Sequence, residues 1–152
     1  MDHNFKQLLL EIEHYLTPGA TRNDVLAYTC KLLKDNVSHY SWVGFYLAEP
    51  DGSMLHLGAY SGKATEHTAI PFGKGVCGQV AETKTLKIVQ DVRLEGNYIS
   101  CSIDVRSEIV VPVMKGDKFV AEIDIDSHAP APFTIADEQF LTALCQKLAV
   151  LF

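Results

Sequence analysis

Apolar residues recur at helical spacing near both ends of the chain and at strand spacing between them. Residues 3–16 carry Phe5, Leu8, Leu9, Ile12 and Leu16 along one stripe, which Thr17-Pro18-Gly19-Ala20 ends. Thr21 then caps a second helix, with Asp24 in its positive first turn and Val25, Leu26, Cys30, Leu33 and Val37 on its apolar face. From about residue 41 to 126 the period shortens to that of strands. SWVGFYLA and MLHLGAY flank the turn Pro50-Asp51-Gly52-Ser53, and SEIVVPVM and FVAEIDID flank Lys115-Gly116-Asp117-Lys118, so two hairpins are predicted. Between them, residues 62–106 are less regular and hold a short helical pattern after Gly75. Thr134 caps the last helix, Asp137 and Glu138 occupy its first turn, and Phe140, Leu141, Leu144, Cys145, Leu148 and Leu151 line its apolar face. The order helix, helix, hairpin, crossover, hairpin, helix predicts an α+β fold. In it the N-terminal pair and the C-terminal helix pack on one face of an antiparallel sheet.

Composition narrows the partners. The chain has 152 residues, 47% hydrophobic and 21% charged, which suits one domain with a real core. Thirteen basic against 19 acidic residues give a net charge of -6, and without a Lys/Arg cluster nucleic acid is an unexpected partner. No apolar run approaches the roughly 20 residues of a membrane helix, so no membrane is expected. MDHNFKQLLLEIEHYL is charged and amphipathic, unlike a signal peptide. A cytoplasmic location is therefore expected, with four free thiols and no disulfide framework. The apolar close Ala149-Val150-Leu151-Phe152 suggests a homodimer through the terminal helices.

Three groups of residues carry candidate chemistry. Cys30 and Cys145 lie on apolar helix faces and read as small buried hydrophobes. Cys77, in GKGVCGQ, falls where the short helix begins, and the partial positive charge there lowers a thiol's pKa. Cys101, in NYISCSIDVRSE, lies in a loop, where reactive groups are commonly mounted. Spacing alone does not bring Cys77 and Cys101 together. In FVAEIDID the period of two sends Phe119, Ala121, Ile123 and Ile125 to one face and Glu122, Asp124 and Asp126 to the other. This row of acids, with Glu108 nearby, is either a solvated outer face or a functional cluster in which like charges resist joint ionisation. Trp42, Gly44 and Tyr46 share a strand face, and the glycine leaves a gap through which a ligand can approach the backbone. The six histidines (3, 14, 39, 56, 67 and 128) show no ligand spacing, so no metal is expected. No Walker loop, Rossmann glycine pattern or G-x-S-x-G elbow is present.

WVGFYL, IPFGKGVCG, QDV, SEIVVPV and IDIDS occur in the order found in one family. From about 38 to 140, flanked by terminal helices within a single 1–152 domain, the chain resembles a GAF domain. More narrowly, it is similar to the free methionine-(R)-sulfoxide reductases. The resemblance implies a GAF-like fold and reduction of free methionine-(R)-sulfoxide by a cysteine thiolate, through a sulfenic acid that a second cysteine resolves. It implies no metal or organic cofactor, but an external reductant, thioredoxin or a small thiol. By resemblance the nucleophile falls on Cys101 and the cysteine of the glycine-rich turn on Cys77. The acidic substrate-site residues fall on Glu108, Asp124 and Asp126, and the aromatic pair on Trp42 and Tyr46.

Three positions depart from the family's pattern. A further cysteine is usual before IPFGKGVCG; here GKATEHTAIPFG puts His67 or Thr68 in its place. Ser102 replaces an acid beside Cys101, and Glu122 stands where a hydrophobic residue is usual, adding a carboxylate to the face of Asp124 and Asp126. These departures keep two alternatives open: a non-catalytic GAF module that binds a small amino-acid-like ligand, and a thiol redox sensor in which Cys77 and Cys101 pair without a substrate.

Overall fold

A six-stranded antiparallel sheet separates two apolar layers in the computed structural model of the chain, which describes residues 3–96 and 104–152. Its strands are β1 (Trp42–Ala48), β2 (Met54–Ser61), β3 (Ala69–Pro71), β4 (Lys87–Val89), β5 (Ser107–Lys115) and β6 (Lys118–Ser127), arranged in the order β3-β2-β1-β6-β5-β4. Both predicted hairpins form, and the first strand of one pairs with the last of the other, so β1 and β6 are central. The crossover is more ordered than its irregular pattern suggests. It contributes α3 (Gly75–Thr83) and the two edge strands β3 and β4. Three residues are too few to show a period of two, so pairing with a neighbour, not local pattern, makes these strands.

The larger layer lies under α1 (His3–Tyr15), α2 (Arg22–Asn36) and α4 (Ile135–Leu148), as predicted. Val43 and Phe45 of β1, Ile109, Val111 and Val113 of β5, and Ala121, Ile123 and Ile125 of β6 meet these helices. Each fully buried Ile, Val or Phe contributes about 1.5–3 kcal/mol relative to exposure. Both predicted caps are in place. Thr21 Oγ1 accepts from the Asp24 amide at 3.1 Å. Thr134 and Asp137 form a reciprocal capping box, with the Thr134 amide donating to Asp137 Oδ2 at 2.9 Å. Asp137 also accepts from the Tyr40 hydroxyl at 2.8 Å and lies 2.6 Å from His39 Nε2, tying α4 to the start of β1.

One strand assignment needs correction. Val113 pairs with Ala121, but the next residue of β5, Met114, pairs with Phe119, so Val120 bulges out of the ladder. The bulge turns Phe119 away from Ala121, Ile123 and Ile125 and into the opposite layer, where its ring meets Phe72 edge-on at 5.7 Å. Among the described residues, no helix is long and apolar enough to cross a membrane.

Candidate active site

The acids of β6 face the second layer, beneath α3. The central registers place Trp42 opposite Asp126, Gly44 opposite Asp124 and Tyr46 opposite Glu122. On the other side of β6, Glu108 is opposite Asp126, Val110 opposite Asp124 and Pro112 opposite Glu122. Residues at matching positions of adjacent strands point to the same face, so one surface gathers four carboxyls and two aromatic rings. It is not a solvated face. Glu122 is 0% exposed, Asp126 1%, Asp124 2% and Glu108 3%, because α3 lies over them with Val76, Cys77, Val80 and Ala81. The sequence left a solvated row and a functional cluster as alternatives; burial rules out the solvated row.

Cys77 reaches this surface from the first turn of α3, its sulfur 4.0 Å from Glu108 Oε2. A tight turn positions it: the Gly73 amide donates to the Gly78 carbonyl at 2.8 Å. A Cβ at Gly78 would stand 2.6 Å from the Pro71 carbonyl oxygen, so only glycine lets the helix approach this turn. Beside the thiol, a small cavity is bordered by Tyr46, His67, Ile70, Cys77, Glu108 and Asp124. A second cavity lies at the Asp126 end, between Trp42, Lys63, Asp104 and His128.

The aromatic pair does not leave the gap expected at Gly44. The Trp42 indole folds over the glycine, and a Cβ there would lie 2.3 Å from Trp42 Cη2. The space is filled from within, with the indole also stacked on Tyr60 at 5.6 Å. Both rings use their polar ends to hold the β2–β3 connection. Trp42 Nε1 donates to the Lys63 carbonyl at 2.9 Å and the Tyr46 hydroxyl to the His67 carbonyl at 2.7 Å. No periodic signal marked Lys63 or His67 as neighbours of the site, because backbone carbonyls of a loop leave no trace in residue type.

The electrostatics of the site are those of crowded, buried acid. Burial and the charges of Asp124 and Asp126 push Glu108 well above the usual carboxylate range. Asp124 is also raised by burial, though hydrogen bonds from Glu108 and Cys77 oppose this. Burial and crowding thus favour the protonated form at both carboxyls, Glu108 above all. Glu122 is raised by burial and by Asp124. Burial, then Asp124, Glu122 and Glu108, drive the Cys77 thiol far up. This reverses the expectation from the helix N-terminus: the half-charge of a helix end is outweighed by desolvation and three neighbouring carboxyls. Cys77 at rest is a neutral thiol. Cys30 and Cys145 are buried hydrophobes, as expected, and burial raises both. Cys101 lies outside the described residues.

The GAF domain family model matches residues 21–152, from the cap of α2 onwards. The chain belongs to the GAF domain family. Over 123 residues it is 37% identical to the free methionine-R-sulfoxide reductase of Escherichia coli, covering 81% of this chain and 73% of that protein. It is 40% identical over 110 residues to the free methionine-R-sulfoxide reductase of Saccharomyces cerevisiae, covering 71% of this chain and 61% of that one. Among solved structures, it resembles the Neisseria meningitidis free methionine-R-sulfoxide reductase in complex with its substrate. The TM-score is 0.91 and the identity 33%, over 100% of this chain and 91% of that one. In this GAF domain Trp42, Tyr46, Glu108, Asp124, Asp126 and Cys77 all reach one face of the sheet, together with Glu122. Four separate elements bring them there.

Proposed function

We propose that this protein reduces free methionine-(R)-sulfoxide to methionine. The observation that carries the reading is the buried carboxyl group of Glu108 beside a small cavity walled by Tyr46, where crowding by Asp124 and Asp126 favours its protonated form. Reducing a sulfoxide needs a proton donor for the departing oxygen as well as a nucleophilic thiolate. The names of the relatives point to the same chemistry.

The Cys101 thiolate attacks the substrate sulfur, the sulfur–oxygen bond breaks, and the oxygen leaves on the cysteine as a sulfenic acid after taking one proton. The sulfoxide gains two electrons and becomes methionine; Cys101 is oxidised. Glu108 supplies the proton, Asp124 and Asp126 hold the substrate ammonium, and Trp42 and Tyr46 enclose the methyl-sulfur end. Cys77 then displaces water from the sulfenic acid to form a disulfide, which thioredoxin or a small thiol reduces.

A second reading follows from the same thiol. If the site binds an amino-acid-like amine without turnover, burial of Cys77 among carboxyls is a structural feature only. A single-turnover experiment separates the two. Pre-reduced protein is mixed with each epimer of free methionine sulfoxide without added reductant, and methionine is quantified. About one equivalent from the R epimer, lost in Cys101→Ser, is expected; none from either epimer refutes the reductase and leaves the binding module.

A further inference from the structure

Cys77, Glu108 and Asp124 converge from three elements, α3, β5 and β6, onto one point at the cavity floor. Their sulfur and one oxygen from each carboxyl all lie within 4.8 Å of one another. A tetrahedral zinc ion, with bonds of about 2.3 Å to sulfur and 2.1 Å to oxygen, sets its ligand atoms about 3.4–3.6 Å apart. The 4.0 Å from Cys77 Sγ to Glu108 Oε2 is within a small side-chain rotation of that spacing.

Proximity of acids is not enough, but a second observation points the same way. Glu108 Oε1, Asp124 Oδ1 and both oxygens of Glu122 are buried and receive no hydrogen bond from an amide, hydroxyl or ammonium group among the described residues. A hydrogen bond between Glu108 and Asp124 relieves that pair in part. Glu122, wholly buried one pleat along β6, has only the Cys77 thiol as a weak donor. Buried acceptors without partners are rare, and a bound ion is one of the few ways to satisfy them.

We propose that Cys77, Glu108 and Asp124 form a binding site for a zinc-class divalent cation, with Glu122 as the neighbouring carboxylate whose charge the ion offsets. One thiolate beside two carboxylates selects a borderline cation such as Zn²⁺; Mg²⁺ and Ca²⁺ take oxygen ligands. Three protein ligands leave a fourth position facing the cavity, the arrangement of an exchangeable site and not of a closed structural one. The thiol and carboxyl protons pass to solvent as the ion binds. On the reductase reading above, these carboxyls also serve the substrate, so bound zinc holds the enzyme inactive. Zinc then regulates the site without being its cofactor. The histidine spacing that gave no metal signal is irrelevant here, since none of the three ligands is a histidine.

The site is tested without substrate, so its failure is distinct from failure of the reductase assignment. Reduced full-length protein, freed of metal, is titrated with Zn²⁺ against a chromophoric chelator and separately with Co²⁺. One equivalent of Zn²⁺ and a near-ultraviolet thiolate-to-cobalt charge-transfer band are expected. Cys77→Ser should abolish the band and weaken Zn²⁺ binding by at least about tenfold, and Asp124→Asn should weaken it similarly. X-ray absorption on the unmodified zinc-loaded protein should show one sulfur and otherwise oxygen neighbours, a readout independent of how the variants fold. Substoichiometric Zn²⁺ binding, a band that survives Cys77→Ser, or more than one sulfur neighbour overturns the proposal.

Discussion

Glu122 carries a quantitative prediction about stability and pH. It is wholly buried, and among the described residues neither of its oxygens accepts a hydrogen bond from an amide, hydroxyl or ammonium group. Burial and Asp124 raise its folded pKa well above the ordinary glutamate value. In the unfolded chain it titrates near its usual value of about 4.3. Between those two values the folded protein binds one more proton than the unfolded chain, so stability falls as pH rises, by up to about 1.4 kcal/mol per pH unit for this group. Glu108 and Asp124 are shifted in the same direction and add to the decline. That is opposite to an ordinary salt-bridged carboxylate, whose stabilisation is lost as pH falls. Glu122→Gln keeps the shape and the buried polar atoms but cannot ionise, so it isolates the titrating part. Its stability relative to the parent should improve as pH rises from 5 towards 7, by on the order of 1 kcal/mol per pH unit until Glu122 itself ionises. In urea this moves the midpoint by on the order of 1 M. Melts followed through the fluorescence of Trp42, the single tryptophan, at pH 5, 6 and 7 in the presence of a chelator, measure it directly. A gap that stays constant with pH, or a parent protein that gains stability between pH 5 and 7, refutes the reasoning.

Two further predictions concern packing and capping. Gly44→Ala places a methyl 2.3 Å from Trp42 Cη2 and must displace the indole; a loss of about 1–3 kcal/mol, with a shifted tryptophan emission, is expected from thermal melts and fluorescence. Thr134→Ala removes the hydroxyl half of the capping box on α4 and should cost about 0.5–2 kcal/mol in urea unfolding.

How much of this was legible beforehand follows from the range of the forces involved. Periodicity, caps and turn residues act over a few positions, so the sequence by itself determined the four helical segments, both hairpins, the Thr21 and Thr134 caps and the face shared by Glu122, Asp124 and Asp126. Motif order alone pointed to the GAF family and to Trp42, Tyr46, Glu108, Asp124 and Asp126 as a set. The tertiary structure alone decided that this face is covered, because no local pattern says where α3 packs. Covering it inverted the behaviour of Cys77: a helix N-terminus is a local feature that favours the thiolate, whereas desolvation and the charges of three acids arrive only once distant strands pair. The Val120 bulge that turns Phe119 over, and the indole that fills the space at Gly44, are likewise consequences of register and close packing. Side-chain type announces which face a residue takes; only the assembled neighbours set the dielectric, the charge and the room it finds there.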